Sequence, residues 1–131
     1  MSELSRGVRG TQHEIVTEKN IASALGSGGL AVYATPCMIT LMEYCAMESV
    51  KPLLPAGSST VGTRLDVKHL SATPIGMTVR CETELIEVDR RRLVFQCRAF
   101  DDAGLIGEGI QERFIVDNDK FMEKTAQKIK K

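Results

Sequence analysis

At 131 residues the chain is long enough for a single domain with a substantial core. Its 17 basic and 17 acidic side chains cancel, leaving no field to gather a phosphate backbone, so nucleic acid is not an expected partner. No run reaches the roughly 18 apolar residues that span a bilayer, and the opening Met-Ser-Glu-Leu-Ser-Arg lacks the apolar stretch of a secretory leader.

Cys37, Cys45, Cys81 and Cys97 form no CxxC, and no histidine stands at metal-ligand spacing from them. They read as reduced thiols packed as small hydrophobes, which favours a cytoplasmic protein with neither metal nor cofactor.

After a frayed stretch over residues 1–9, the segment Gly10–Thr17 alternates in polarity and predicts a strand, with His13 as a surface position. A short helical piece over Glu18–Leu25 stops at Gly26-Ser-Gly-Gly29, a cluster suited to a hinge or lid. The main helix is expected from Pro36 to Val50, with Met38, Leu41, Met42 and Cys45 among its apolar positions. Pro36 fits a first helical turn and pushes Thr35 into an extended cap. Lys51-Pro52 ends the helix.

The second half reads as strands. From Val61 the odd positions Val61, Thr63, Leu65, Val67 and His69 share one face, opposite Arg64, Asp66 and Lys68. Strands through Met77–Leu85, Leu93–Ala99 and Leu105–Val116 follow, separated by turns at Asp89-Arg90-Arg91 and Asp101-Asp-Ala-Gly104. Asn118 starts a terminal helix whose lysines (Lys120, Lys124, Lys128, Lys130, Lys131) form a solvated basic patch. One strand, one long apolar helix and four antiparallel strands make an α+β single domain over residues 1–131, a meander curved around the helix in the hotdog manner. An open sheet edge of this kind usually becomes a dimer seam.

Two ionisable groups fall where apolar residues are expected. Glu43 lies in the apolar helix, and His69 lies on the apolar side of a strand. An inward carboxylate and an inward imidazole need each other or a ligand. Thr35 and Glu43 are eight residues apart, about 12 Å along a continuous helix, so joint action on one atom requires Thr35 to fold back over the helix start.

The pattern Ala34-Thr35…Leu41-Met-Glu43, then Gly62-Thr…Val67-Lys-His69…Ala72-Thr-Pro74-Ile-Gly76, then Gly107-Glu-Gly-Ile-Gln-Glu-Arg113 resembles the fluoroacetyl-CoA thioesterase type of hotdog protein. The resemblance implies hydrolysis of an acyl-CoA at a homodimer interface without a metal. It implies a catalytic set of Thr35, Glu43 and His69, with Gly62 and Arg113 at the substrate. In that family, phenylalanines before the threonine gate the pocket. Here Gly26-Ser-Gly-Gly-Leu-Ala-Val32 carries none, so a general short acyl chain is expected rather than a fluorinated one. The Asp-x-Asn-x-x-His pattern of the 4-hydroxybenzoyl-CoA type is missing too.

His69 is suited to proton transfer near neutrality. Glu43 has three open roles: orienting that imidazole, attacking the carbonyl, or activating water. Lys68, Arg80 and Arg90-Arg91-Arg92 are candidates for the coenzyme phosphates. The rival readings are a non-catalytic acyl-CoA or small-acid binding module and a hydroxyacyl-thioester dehydratase on the same fold.

Overall fold

The one long helix carries a dense set of buried apolar side chains, and the sheet is arranged to cover it. In the computed structural model, which describes residues 3–129, helix α2 spans Thr35–Val50. Met38, Met42, Cys45, Ala46 and Val50 on this helix are at most 1% exposed. Each large apolar side chain so buried contributes about 1.5–3 kcal/mol. Buried residues at spacings of one, three and four occupy much of the circumference, the signature of a helix enclosed by a sheet.

Five antiparallel strands do the enclosing: β1 (Arg9–Ile15), β2 (Ser58–His69), β3 (Thr78–Asp89), β4 (Arg92–Asp101) and β5 (Gly104–Asp117), in spatial order β1-β3-β4-β5-β2. Only β3, β4 and β5 follow one another as the expected meander. The chain leaves α2, builds β2 against the far side of β5, and then crosses to β3. β1 and β2 are therefore the two edges. Gly107 on β5 permits the helix to come close, since a Cβ there would lie 2.5 Å from Met38 Sδ.

Local chemistry explains where the expected elements shrink. The piece foreseen over Glu18–Leu25 is a single turn, α1 (Ala22–Leu25). Asn20 accepts from the Thr17 amide at 2.8 Å and donates to the Ile15 carbonyl at 3.0 Å, while Thr17 Oγ1 accepts from the Lys19 amide. Such side-chain bonds offer the backbone a turn in place of a helix. The terminal helix α3 (Asn118–Ala126) is capped by Asp117, which accepts from the Lys120 amide at 3.0 Å, one residue ahead of the expected Asn118. Lys130 and Lys131 of the basic patch lie outside the described residues.

Most decisive for the site is an irregularity in β2. Seven residues separate Gly62 from His69, so a regular strand would turn them to opposite faces. A bulge between Gly62 and Arg64 shifts the register against β5: Gly62 pairs with Arg113, but Leu65 pairs with Gln111 and His69 with Gly107. Thr60 and Gly62 thus share the inner face with Leu65, Val67 and His69.

Candidate active site

Thr35 is the first residue of α2, and Ala34 is the N-cap, without a side-chain cap bond. The threonine hydroxyl is accordingly free of the helix end and lies 2.7 Å from His69 Nδ1. Thr35 does not fold back, so the 12 Å of axial separation from Glu43 stands. Three backbone bonds hold the approach to Thr35: the Ala22 amide to the Val32 carbonyl, Tyr33 to Thr73, and Ala34 to Asn20. The buried Tyr33 hydroxyl donates to Glu14 on β1, and Thr73 donates to Asp101 at 2.8 Å. The start of the helix is in this way tied to the edge strand β1 and to the end of the central strand β4.

Burial pushes the His69 pKa below the ordinary imidazole value, partly opposed by the Ser71 backbone. The ring is therefore neutral at neutral pH, the form that takes a proton. Its Nε2 is buried and has no hydrogen-bond partner among the described residues, and Nδ1 is the ring nitrogen that meets Thr35. A cleft of about 340 Å³ opens beside the pair, lined in part by Gly28, Gly29, Leu30, Thr35, His69 and Leu70. The glycine segment foreseen as a lid forms one of its walls.

Glu43 belongs to a second cluster. Its Oε2 is 3.7 Å from Arg113 Nη1, and a Cβ on Gly62 would come within 2.7 Å of that same oxygen. Arg113 is 5% exposed and donates from Nε to Thr60 Oγ1 at 2.9 Å and from Nη2 to the Thr60 carbonyl at 3.0 Å. Its Nη1 donates to Gln111 Oε1 at 3.4 Å. Burial lowers the guanidinium pKa, and the Glu43 charge opposes that shift. Arginine nonetheless stays charged under any ordinary condition, so Glu43 faces a fixed cation. The Glu43 side chain is 37% exposed, against 6% for Arg113: a half-open carboxylate on a buried positive base.

Five expected residues thus fall into two groups. Thr35 and His69 meet at one end of the helix, while Glu43, Gly62 and Arg113 meet about two turns along it. The direct pairing of Glu43 with His69 within one chain does not occur; His69 is partnered by Thr35, and Glu43 by Arg113. Their separation follows from helix rise along α2 and strand rise along β2.

Among the coenzyme candidates, Arg80 stacks over Phe100 and pairs with Glu82, Arg90 pairs with Asp89, and Arg92 bridges Glu87 and Glu112. Lys68 makes no ion pair among the described residues. Burial and the nearby Glu14 charge hold the Cys37 thiol up, so it is not an activated nucleophile. Sequence reasoning missed Thr60 and Gln111. Gln111 carried a signal, being a polar residue on the inward face of β5 two positions before Arg113.

A curved antiparallel sheet around one helix, with polar clusters where the edge strand meets that helix, defines a hotdog-fold protein of the thioesterase kind. A hot-dog-like protein from Thermanaerovibrio acidaminovorans, 23% identical, shares the fold at a TM-score of 0.86 over 94% of this chain and 91% of its own. The chain belongs to the fluoroacetyl-CoA-specific thioesterase family, whose model matches residues 16–119. The fluoroacetyl-CoA thioesterase of Streptantibioticus cattleyicolor is 39% identical over 97 residues, covering 74% of this chain and 70% of that protein. The solved structure of the fluoroacetyl-CoA thioesterase FlK superposes at a TM-score of 0.89 with 34% identity, covering 97% and 98% of the two chains. A Thermus thermophilus hypothetical protein of the thioesterase superfamily, 26% identical, superposes at 0.87 over 99% and 96%.

Proposed function

We propose that this protein hydrolyses short acyl-CoA thioesters, as a cytoplasmic homodimer, at a site that two copies complete. Thioester hydrolysis as a reaction class follows from the family to which the chain belongs. The observation that carries the site assignment is the Thr35–His69 contact of 2.7 Å at the mouth of a cleft. A hydroxyl held against a neutral imidazole is the arrangement of an activated nucleophile or of an activated water in its place. His69 Nδ1 takes the proton of the attacking O–H as the new C–O bond forms at the carbonyl and returns it to sulfur as the C–S bond breaks, so the coenzyme leaves as its thiol. With water as nucleophile this gives the acid directly; with Thr35 as nucleophile, a water deprotonated in turn by His69 breaks the acyl–Oγ1 bond, and the proton returns to Oγ1.

Glu43, held by Arg113 and given room by Gly62, is the carboxylate of this site, contributed by the second copy. Two features of β2 support that reading. Leu65 on this edge strand is 40% exposed, and Tyr44, next to Glu43 on the helix, is 46% exposed. Counted along β5, whose register absorbs the bulge, Gly62 (opposite Arg113) and His69 (opposite Gly107) also stand symmetrically about Asp66 (opposite Ile110). Antiparallel pairing of two β2 edges about that residue sets the Glu43 cluster of one copy opposite the Thr35–His69 pair of the other.

The acyl group enters the cleft beside Gly28 and Gly29, and Lys68, which pairs with no carboxylate among the described residues, meets coenzyme phosphate. Since no phenylalanine lies in residues 26–32, selectivity for a fluorinated acyl group is not part of the reading. Reduced, unpaired cysteines support the cytoplasmic location.

A thiol-release assay over a panel of acyl-CoAs, run on the wild type, Glu43→Ala and His69→Ala, tests the reading. Each variant is expected to lose at least about 100-fold in turnover, the scale of an acid–base group. Full activity in both variants would end the assignment, as would a wild type that binds coenzyme but releases no thiol from any substrate.

A further inference from the structure

Beyond the residues already assigned, one polar side chain inside the core links the catalytic helix to the charge beneath it. Gln111 is 1% exposed. Its Nε2 donates at 2.9 Å to the carbonyl of Met42, the residue immediately before Glu43, and also contacts Cys97 Sγ at 3.1 Å. Its Oε1 accepts from Arg113 Nη1 at 3.4 Å, and that same nitrogen lies 3.7 Å from Glu43 Oε2. The amide can stand only one way round. Rotating it by half a turn would set oxygen against the Met42 carbonyl and NH₂ against the guanidinium, leaving two repelling contacts in a dry core.

We propose that Gln111 is a positioning residue for Glu43: it clamps the helix backbone at Met42 to Arg113 Nη1 and so fixes where the carboxylate meets its counter-ion. Three constraints converge on Arg113. Thr60 holds Nε and Nη2 from β2, Gln111 holds Nη1 from β5, and one remaining N–H of Nη1 is left for the space shared by Glu43 and Gly62. An apolar residue at 111 would fill the volume but cut the bridge between Nη1 and the Met42 carbonyl, so the guanidinium would be anchored from β2 alone and the helix backbone beside Glu43 would no longer be tied to it. None of Gln111's hydrogen bonds reaches a residue lining the cleft, and its influence on chemistry runs through Arg113 and Glu43.

The catalytic consequence rests on the thioesterase reading above, whereas the coupling itself does not, so the experiment has two arms. In the first, kcat and KM for the best acyl-CoA are measured for Gln111→Leu, Glu43→Gln and the double variant. Gln111→Leu is expected to lower kcat about 10-fold with KM within about 2-fold, and the double variant to be no slower than Glu43→Gln alone. A merely structural role would instead multiply the two losses, and that result overturns the proposal.

In the second arm, the side-chain amide signals of Gln111 are followed by NMR in the wild type and in Glu43→Gln, a half-exposed position whose substitution leaves the core intact. The expected result is a pair of slowly exchanging amide protons whose shifts move in Glu43→Gln. Unchanged signals would refute the coupling whether or not the wild type hydrolyses any thioester. If the wild type proves inactive while these signals move, the coupling survives and the thioesterase reading fails. If Gln111→Leu does not fold, the second arm alone decides.

Discussion

Replacing Gly62 by alanine separates the site's chemistry from its stability. The new Cβ would lie 2.7 Å from Glu43 Oε2 and 3.5 Å from Arg113 Nη1, where ordinary contact begins at 3.4 Å. The guanidinium needs no adjustment, but the carboxylate must withdraw by about 0.7 Å, the difference between 3.4 and 2.7. Withdrawal is feasible because the Glu43 side chain is 37% exposed and its carboxylate ends a flexible stem. Gly62 is not among the residues with positive φ, so alanine adds no backbone strain there.

The stability balance for Gly62→Ala is therefore small. Loosening a half-exposed ion pair costs up to about 1 kcal/mol, and removing a glycine from the unfolded chain returns about 0.4–1 kcal/mol. Catalysis is far less tolerant, since a misplacement of about 1 Å can cost about 100-fold. Gly62→Ala should keep its unfolding free energy in urea within about 1 kcal/mol of wild type and lose about 10- to 100-fold in kcat by thiol release. Wild-type turnover in a folded variant would refute the reasoning, because the carboxylate would then have moved without consequence.

The remaining predictions concern protonation, the edge strand and the cleft wall. Burial lowers the His69 pKa, so the base stays neutral, and the acid limb of kcat/KM should fall below the ordinary imidazole value of about 6.5. An acid limb above that value would show that His69 is not the base. The linked stability effect has the opposite sense to a His salt bridge. Below about pH 6.5 the unfolded state binds the proton more readily, so the His69 contribution falls with falling pH until the folded pKa is passed, and is unchanged above that range. Urea titrations of the wild type and His69→Ala at pH 7 and pH 5 should therefore differ less favourably for the wild type at the lower pH. Leu65→Lys replaces an apolar contact of the paired β2 edges with two lysines lying diagonally across the seam, and should shift sedimentation to the monomer and abolish thiol release together; a fully active monomer contradicts a shared site. At Gly29 a Cβ would meet nothing within 4 Å, so Gly29→Phe should fold normally and shift preference toward shorter acyl chains. An unchanged chain-length profile would remove that wall from the acyl pocket.

Much of this architecture was legible because periodicity reports burial. The alternation in β3, β4 and β5 and the apolar helix of Met38, Met42 and Cys45 follow from which faces must be dry. Sheet order was not legible, since local pattern does not say which edge a strand will seek, and β2 lies beside β5 rather than β3. The candidate site residues stood out as polar groups in apolar settings, together with a family resemblance. Their grouping was not. A β-bulge reverses the face of Gly62 relative to His69, and no spacing rule reveals a bulge reliably. The cap reading of Thr35 gave way for a similar reason: its hydroxyl meets an imidazole 34 positions away in sequence.

The claim that one copy's carboxylate serves the other copy's hydroxyl–imidazole pair can be tested by mixing two inactive variants. Glu43→Gln and His69→Ala, each purified alone, should release almost no thiol. After unfolding and refolding together, about half the dimers pair unlike chains, and each of these holds one complete site of two, so activity should return to about one quarter of wild type. A mixture as inactive as its parts would contradict a site shared between copies.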